Sequence, residues 1–326
     1  MNSPLLIVNE LNVTYGDNLH AAVSNVSFEV ARAASMAIVG ESGSGKSTLA
    51  LSLIRLLGPN AKLSADTIVF DGTNIMSATK SQLRKIRRDQ IGTVFQDPFS
   101  SWNPSRTVGT QLLDAFPKSS HESVRETLID YMEVVGIDRA ASRLDDYPYR
   151  FSGGLLQRAM IAGALLGNPS LLIADEPTSA LDVTVQAELL NLLDDLQHER
   201  GLALLLISHN IAVVSKISEK TMVMYAGELV EESSTIDLLT HPKHPYTVNL
   251  LSSTPTMSQK RKIPLFAISN KGPSDQGCVY SSKCSIAIAQ CKIEKPPLII
   301  LGSTRVACHR SNEVDTLMEH NYDPIT

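Results

Sequence analysis

Strand-like apolar runs alternating with helix-periodic segments predict an α/β protein built on a largely parallel sheet. Three observations carry this expectation. Apolar runs at Ser35–Val39, 171–174 and 203–207 have strand length and stand between helical patterns. The first enters a glycine-rich loop that opens a helix, and the second ends in two adjacent carboxylates, Asp175 and Glu176.

In chain order, residues 5–30 hold two strand-like runs, 5–8 and 22–30, broken by the turn signal Tyr15-Gly16-Asp17-Asn18. After the loop, a helix is expected over 47–57, then a strand over 67–70 that stops at Asp71-Gly72. A basic helix over 80–88 precedes a strand over 91–95. From Asp97 to about Phe151 the pattern turns helical with proline breaks, clearest at 124–135, and reads as a helical insertion. The core resumes with a helix over 154–167, the strand at 171–174, a helix over 183–200 and a strand at 203–207. Beyond Gly227 the pattern is less regular. Residues 255–326 hold many of the prolines and all four cysteines, and read as an appended small domain or tail.

Gly40-Glu41-Ser42-Gly43-Ser44-Gly45-Lys46-Ser47-Thr48 fits G-x-x-x-x-G-K-S/T. Such a loop wraps backbone N–H groups around nucleotide phosphates, and its glycines permit positive φ and close approach. Lys46 is placed to reach the β- and γ-phosphates, and the Ser47 hydroxyl to hold Mg²⁺. The following helix turns its N-terminal dipole toward the phosphates. The plain alternative is a Gly/Ser-rich turn between two core elements. A strand before the loop and a helix after it favour nucleotide binding.

The chain has 326 residues, 43% hydrophobic and 19% charged, which is ordinary for a soluble α/β protein. With 34 acidic against 29 basic residues the net charge is -5, which argues against a nucleic-acid binder. No apolar run approaches the roughly 18 residues of a membrane span. The N-terminus lacks a basic, then apolar, secretory signal. The chain is expected to stay in the cytosol and to reach a membrane only through partners.

At the end of an apolar strand near the phosphate loop, Asp175 can hold Mg²⁺ and Glu176 can polarise the attacking water. Alone, an apolar run ending in Asp-Glu is more often a capped strand end; coupled to Lys46 it points to a metal site. Ser152-Gly153-Gly154 opens a helix, so its hydroxyl and N–H groups form a second candidate anion site, or a plain N-cap. His209 follows the strand at 203–207, 33 residues past Glu176, where it can sense a γ-phosphate or be merely structural. Gln96, after the strand at 91–95, can ligate Mg²⁺ and touch the water.

In this order the phosphate loop, Gln96, Ser152-Gly153-Gly154, Leu171-Leu172-Ile173-Ala174-Asp175-Glu176, Ser179-Ala180-Leu181-Asp182 and Ser208-His209-Asn210 resemble an ATP-binding cassette (ABC) ATPase across residues 5–255. The resemblance implies a phosphate-loop ATPase core with an N-terminal antiparallel β subdomain, a helical subdomain over about 97–165 and a small C-terminal extension over 256–326. It places Tyr15 on the adenine, Ser152, Gly153 and Gly154 in the signature loop that closes over ATP on the other subunit, and Asp182 in the loop that couples the two sites. His209 resembles the switch histidine. Gln96-Asp97-Pro98, Gln157-Arg158, Asp175-Glu176-Pro177-Thr178, His244-Pro245-Tyr246-Thr247 and Leu251-Ser252-Ser253-Thr254-Pro255 are similar to the oligopeptide, dipeptide and nickel uptake branch. Two departures stand in the signature loop, Phe151 at its first position and Leu155 at its fifth. Leu156 also lacks the charge common there.

Cys278, Cys284, Cys291 and Cys308 are all the cysteines of the chain. In the cytosol disulfides are not expected, so ligation of zinc or an iron–sulfur cluster is favoured over unliganded thiols. No pair has the C-x₂-C spacing of common zinc sites. The resemblance implies a 4Fe–4S cluster, supported by Arg305-Val306-Ala307-Cys308-His309, although Val279 and Ser282 stand where relatives show prolines.

Taken together, the resemblance implies an ATP hydrolase, using ATP and Mg²⁺, that energises an importer, with peptides the first substrate class. The partners it implies are a second ATPase subunit, often non-identical in this branch, two membrane subunits and, indirectly, an extracytoplasmic binding protein. It sits peripherally on the cytoplasmic face of the inner membrane. Glu176, His209 and Gln96 act in catalysis. The rival readings are a weakly hydrolysing regulatory half of a heterodimer and a non-transport ABC ATPase.

Overall fold

The structure, a computed structural model, describes residues 3–16, 21–179, 181–253, 274 and 276–318. The expected boundary at 255/256 and residues Asp17, Asn18, Ala180, Thr254 and Pro255 lie outside the described residues. Strands run in the order β1 (Leu6–Tyr15), β2 (Val23–Val30), β3 (Ser35–Val39), β4 (Ala61–Ser64), β5 (Thr67–Phe70), β6 (Thr73–Asn74) and β7 (Ile91–Val94). Then come β8 (Leu171–Asp175), β9 (Ala203–Ser208), β10 (Lys220–Tyr225), β11 (Glu228–Ser234), β12 (Ile299–Leu301) and β13 (Thr304–Val306). The helices are α1 (Lys46–Leu53), α2 (Lys80–Asp89), α3 (Val108–Leu113), α4 (His121–Val134), α5 (Ala140–Arg143) and α6 (Gly153–Leu165). They continue with α7 (Val183–Arg200), α8 (Ile211–Ile217), α9 (Thr235–Thr240), α10 (Pro245–Ser252), α11 (Ala289–Ile293) and α12 (Val314–Met318).

The chain divides into two compact units. One comprises Met1–Leu5, Val30–Ser35 and Phe70–Ile207. Its centre is a parallel ladder in which Ile91 faces Leu171 and Leu171 faces Ala203. Every residue of β8 and β9 is buried. Strands covered on both faces read as unbroken apolar runs, which is why they stand out in the sequence. Around them α2 starts on a capping box, Thr79 with Gln82, and ends on Arg87 and Arg88. Helix α7 starts at Asp182 and stops at Gly201 in the left-handed region, φ 61°. Between Asp97 and Phe151 the ordered elements are helical, α3 to α5 with two short 3₁₀ turns, as the periodicity predicts.

The other unit comprises Leu6–Glu29, Met36–Val69 and Ser208–Thr326. In it β4 pairs antiparallel with β1, Asn12 facing Ser64 and Tyr15 facing Ala61. Strand β3 pairs parallel with β10, which pairs antiparallel with β11; β13 and β12 follow antiparallel. Two expectations need correction here. Helix α1 ends at Leu53 rather than at 57, and Arg55 turns left-handed at φ 50°. Directly after Gly227 the backbone is regular, and β11 is a largely buried strand. Its charges conceal it: Glu231 and Glu232 are 0% and 1% exposed. Glu232 is neutralised by Arg305 at 2.6 Å and by Lys220.

Candidate functional site

The phosphate loop follows β3 directly. Lys46 is 5% exposed, and its Nζ donates to the carbonyls of Gly40 and Glu41, both at 2.8 Å, and to Ser44 Oγ at 3.3 Å. The loop's curl needs two of its glycines. At Gly40, φ 154°, a Cβ would lie 2.2 Å from Met224 O; at Gly45, φ 97°, it would lie 2.1 Å from Ala22 O. Gly45 is also the N-cap of α1, and no side chain caps the helix there, nor does its first turn hold an acidic residue. A helix start of this kind is the type of terminus that suits an anion. Ser47 and Thr48 lie half-buried in this turn, while Ser42 and Gly43 are exposed. In the same unit Tyr15 closes β1 half-buried, and His209 is exposed just beyond β9, where Ser208 Oγ accepts from the Asn210 amide at 3.0 Å.

The other unit presents the carboxylates. Asp175 ends β8 at 9% exposure. The next residue, Glu176, is left-handed at φ 45°, an uncommon conformation for a residue with a side chain. It is held there by its own N–H on Ile207 O at 2.9 Å and by Ser179, whose N–H and hydroxyl donate to Glu176 O at 3.2 and 3.1 Å. Gln96 Nε2 donates to Glu176 Oε2 at 3.0 Å, bringing two of the three expected catalytic residues together. A backbone bent to aim a carboxylate, with an amide fixing one of its oxygens, is suited to orienting a water.

Ser152 caps α6, its Oγ accepting from the Leu155 amide at 3.3 Å. Its oxygen thus caps the helix while its O–H remains a donor. Gly153 and Gly154 lie against Phe99 and Val185, which a Cβ would approach to 3.2 and 3.1 Å. Asp182 caps α7, with Oδ1 accepting from Thr184 and Val185 amides at 3.1 and 3.0 Å. Arg158, read in the sequence only as part of the branch resemblance, is structural in the same unit: it donates to Val135 O at 2.6 Å and to Glu188 at 2.7 Å, tying α6 to α4 and α7.

All four cysteines line one narrow recess, together with His244, Tyr280 and Arg310. They are thiols without a disulfide. Burial pushes Cys284 up to about 11 and Cys308 up to about 12, and raises Cys278 as well. The Arg310 amide donates to Cys308 Sγ at 3.4 Å. Among the described residues no three His, Cys, Asp or Glu side chains are gathered closely enough to hold a metal ion. A mononuclear zinc site would need its sulfurs about 4 Å apart, from Zn–S bonds of about 2.3 Å in a tetrahedron. The four thiols line the recess without being gathered as ligands of one ion. None of the described helices is long and apolar enough to cross a membrane.

Comparison with known proteins places this geometry. Residues 23–179 match the family described as ABC transporter, and residues 230–291 match the oligopeptide/dipeptide transporter C-terminal region. The chain is 38% identical over 315 residues to the "Dipeptide transport ATP-binding protein DppD" of Haemophilus influenzae, covering 94% of this chain and 95% of that one. It is 41% identical over 314 residues to the "Probable peptide ABC transporter ATP-binding protein y4tR" of Sinorhizobium fredii, covering 93% of each. A solved structure described as a dimeric post-hydrolysis state of the ATP-binding cassette MJ0796, bound to ADP and Pi, matches with a TM-score of 0.61 and 26% identity over 71% of this chain and 98% of that one. The cbiO1 protein of Clostridium perfringens, part of the transporter complex cbiONQ, matches with a TM-score of 0.61 and 28% identity over 76% and 96%. The chain belongs to the ATP-binding subunits of ABC transporters, in the branch that carries the oligopeptide/dipeptide C-terminal region.

Proposed function

We propose that the chain is the ATP-hydrolysing subunit that energises a multi-subunit importer of oligopeptides or dipeptides. The observation that carries this is the phosphate loop, with Lys46 buried inside it, in one chain with the peptide-branch C-terminal region. Lys46 binds the β- and γ-phosphates; Ser47, Gln96 and Asp175 hold Mg²⁺; Tyr15 stacks on adenine. Gly40, Ser42, Gly43, Ser44, Gly45 and Thr48 supply the cradle. Phosphoryl transfer calls mainly for positioning and charge neutralisation, which fixed backbone amides and Lys46 provide. Glu176 orients and activates the water, and His209 contacts the γ-phosphate. Ser152, Gly153, Gly154 and Asp182 act on ATP held by a second ATPase subunit. Two membrane subunits receive the motion, and an extracytoplasmic protein delivers the substrate, so the chain works peripherally at the inner membrane's cytoplasmic face.

Glu176→Gln keeps the shape and removes the base. In the purified transporter complex, phosphate release is expected to fall at least 100-fold while bound ATP remains trapped, the loss scaling with general-base catalysis. Unchanged phosphate release overturns the role of Glu176.

We infer further that Cys278, Cys284, Cys291 and Cys308 hold an iron–sulfur cluster, supported by the recess that all four thiols share. Such a cluster would supply iron–thiolate bonds that staple the C-terminal region and a redox-active centre. Iron, sulfide and visible absorption of anaerobically purified chain test this; absence of iron rejects it.

A further inference from the structure

Tyr246 is separated by 205 positions from the phosphate loop, yet its hydroxyl accepts the Glu41 N–H at 2.8 Å. That N–H belongs to the peptide plane whose carbonyl, Gly40 O, accepts Lys46 Nζ at 2.8 Å. One peptide group at the mouth of the loop is thus held at both ends, by the phosphate-binding lysine and by a tyrosine of the C-terminal region. Hydrogen bonds strung through a single peptide polarise one another.

Tyr246 is itself immobilised. It is 1% exposed, and its ring lies 4.7 Å from that of Tyr225 and 5.3 Å from that of Tyr280. The start of α10 is fixed by His244, whose Nδ1 accepts from the Tyr246 amide at 3.1 Å. Burial lowers His244 to about 3, so the ring is neutral and able to accept. Upstream, Glu231 accepts the amides of Lys243 and His244 at 2.6 and 2.9 Å. Lys283, from the cysteine-bearing segment, stands 3.9 Å from the Glu41 carboxylate and over the Tyr225 ring.

We propose that Tyr246 is a positioning residue for the nucleotide site: through its hydroxyl the C-terminal region holds the Gly40–Glu41 peptide and sets the loop that receives the phosphates. The proposal rests on the reading that this loop binds ATP. A tyrosine is required because the ring anchors in the aromatic cluster while the hydroxyl reaches the loop backbone.

Titration of the purified full chain with a fluorescent ATP analogue tests it. Tyr246→Phe keeps the ring and removes only the acceptor; the Kd is expected to rise about 5- to 10-fold, the usual effect of stranding a partly buried amide. Tyr280→Phe is the control, because its hydroxyl accepts from Asn249 and not from the loop; its Kd is expected to stay within about twofold of wild type. Equal weakening by both variants, or an unchanged Kd in Tyr246→Phe, overturns the proposal. Lys46→Ala separates the underlying reading: retained ATP binding there rejects nucleotide binding by the loop itself. Should Tyr246→Phe fail to fold, amide hydrogen exchange on the wild-type chain decides. Glu41 exchanging as slowly as β3 amides supports the clamp, and exchange at open-loop rates overturns it.

Discussion

Replacing Glu231 by glutamine should flatten the pH dependence of stability by a calculable amount. Glu231 is fully buried on β11, and burial pushes its carboxyl from 4.5 up to about 7. The Thr247 hydroxyl, the Lys243 and His244 amides and the Lys243 charge pull it back only in part. Lys243 is itself engaged by Asp315, and His244 is neutral. Between pH 4.5 and about 7 the folded chain keeps a proton that the unfolded chain has released. Stability from this group is therefore complete below the lower value and lost as pH rises through the upper one. At 1.36 kcal/mol per pH unit, about 2 kcal/mol is lost between roughly pH 5.5 and 8. Glu231→Gln cannot titrate, so its urea-unfolding free energy should change about 2 kcal/mol less than that of wild type over the same interval. The comparison of slopes cancels whatever the amide costs at fixed pH. Equal slopes within about 0.5 kcal/mol would show that Glu231 is ionised throughout and that its two amide donors outweigh burial.

Gly45→Ala places a methyl 2.1 Å from Ala22 O at φ 97°, so ATP affinity in the fluorescent titration should drop at least tenfold, since the loop must shift away from its geometry. Asp182→Ala removes the cap of α7 and should cost about 1 kcal/mol in thermal unfolding, whereas Asp182→Asn, an equally good cap, should cost almost nothing. ATPase activity of the complex lost in Asp182→Asn with stability intact would assign Asp182 a role in coupling beyond capping; activity retained would leave it a cap.

Elements governed by local chemistry were legible from the sequence. Strand β3 and helix α7 coincide with their expected spans because Ser35–Val39 is wholly buried and α7 carries both its stop and start signals, Asp182 and Gly201. The early end of α1 was not legible, because the apolar run through Leu57 holds no glycine or proline to announce Arg55 turning left-handed. Strand β11 escaped because a buried carboxylate reads as a solvated one until its partners are known. Glu232 is satisfied by Arg305, 73 positions away. Motif spacing marks Lys46 in one unit and the Gln96–Glu176 pair in the other as candidates. The acceptor of the Glu41 amide does not, because a contact across 205 positions leaves no periodic trace.

The supports of the phosphate loop show why the C-terminal region is more than an appendage. Gly227 donates its N–H to Ser44 O at 3.1 Å, and its carbonyl accepts the Ser24 amide at 2.8 Å, so the turn between β10 and β11 is bonded to the loop and to β2. Met224 O fills the space where a Gly40 side chain would be. Tyr246 then takes the Glu41 amide. Each of these groups comes from beyond residue 220, and each engages the loop at Gly40, Glu41 or Ser44, ahead of the helix. The N-cap of α1, Gly45, has no side chain to cap the helix. The scaffold therefore fixes the part of the loop that carries Lys46's carbonyl contacts. A change in how α10 seats on β11 would be transmitted first to the Gly40–Glu41 peptide, and through it to the lysine.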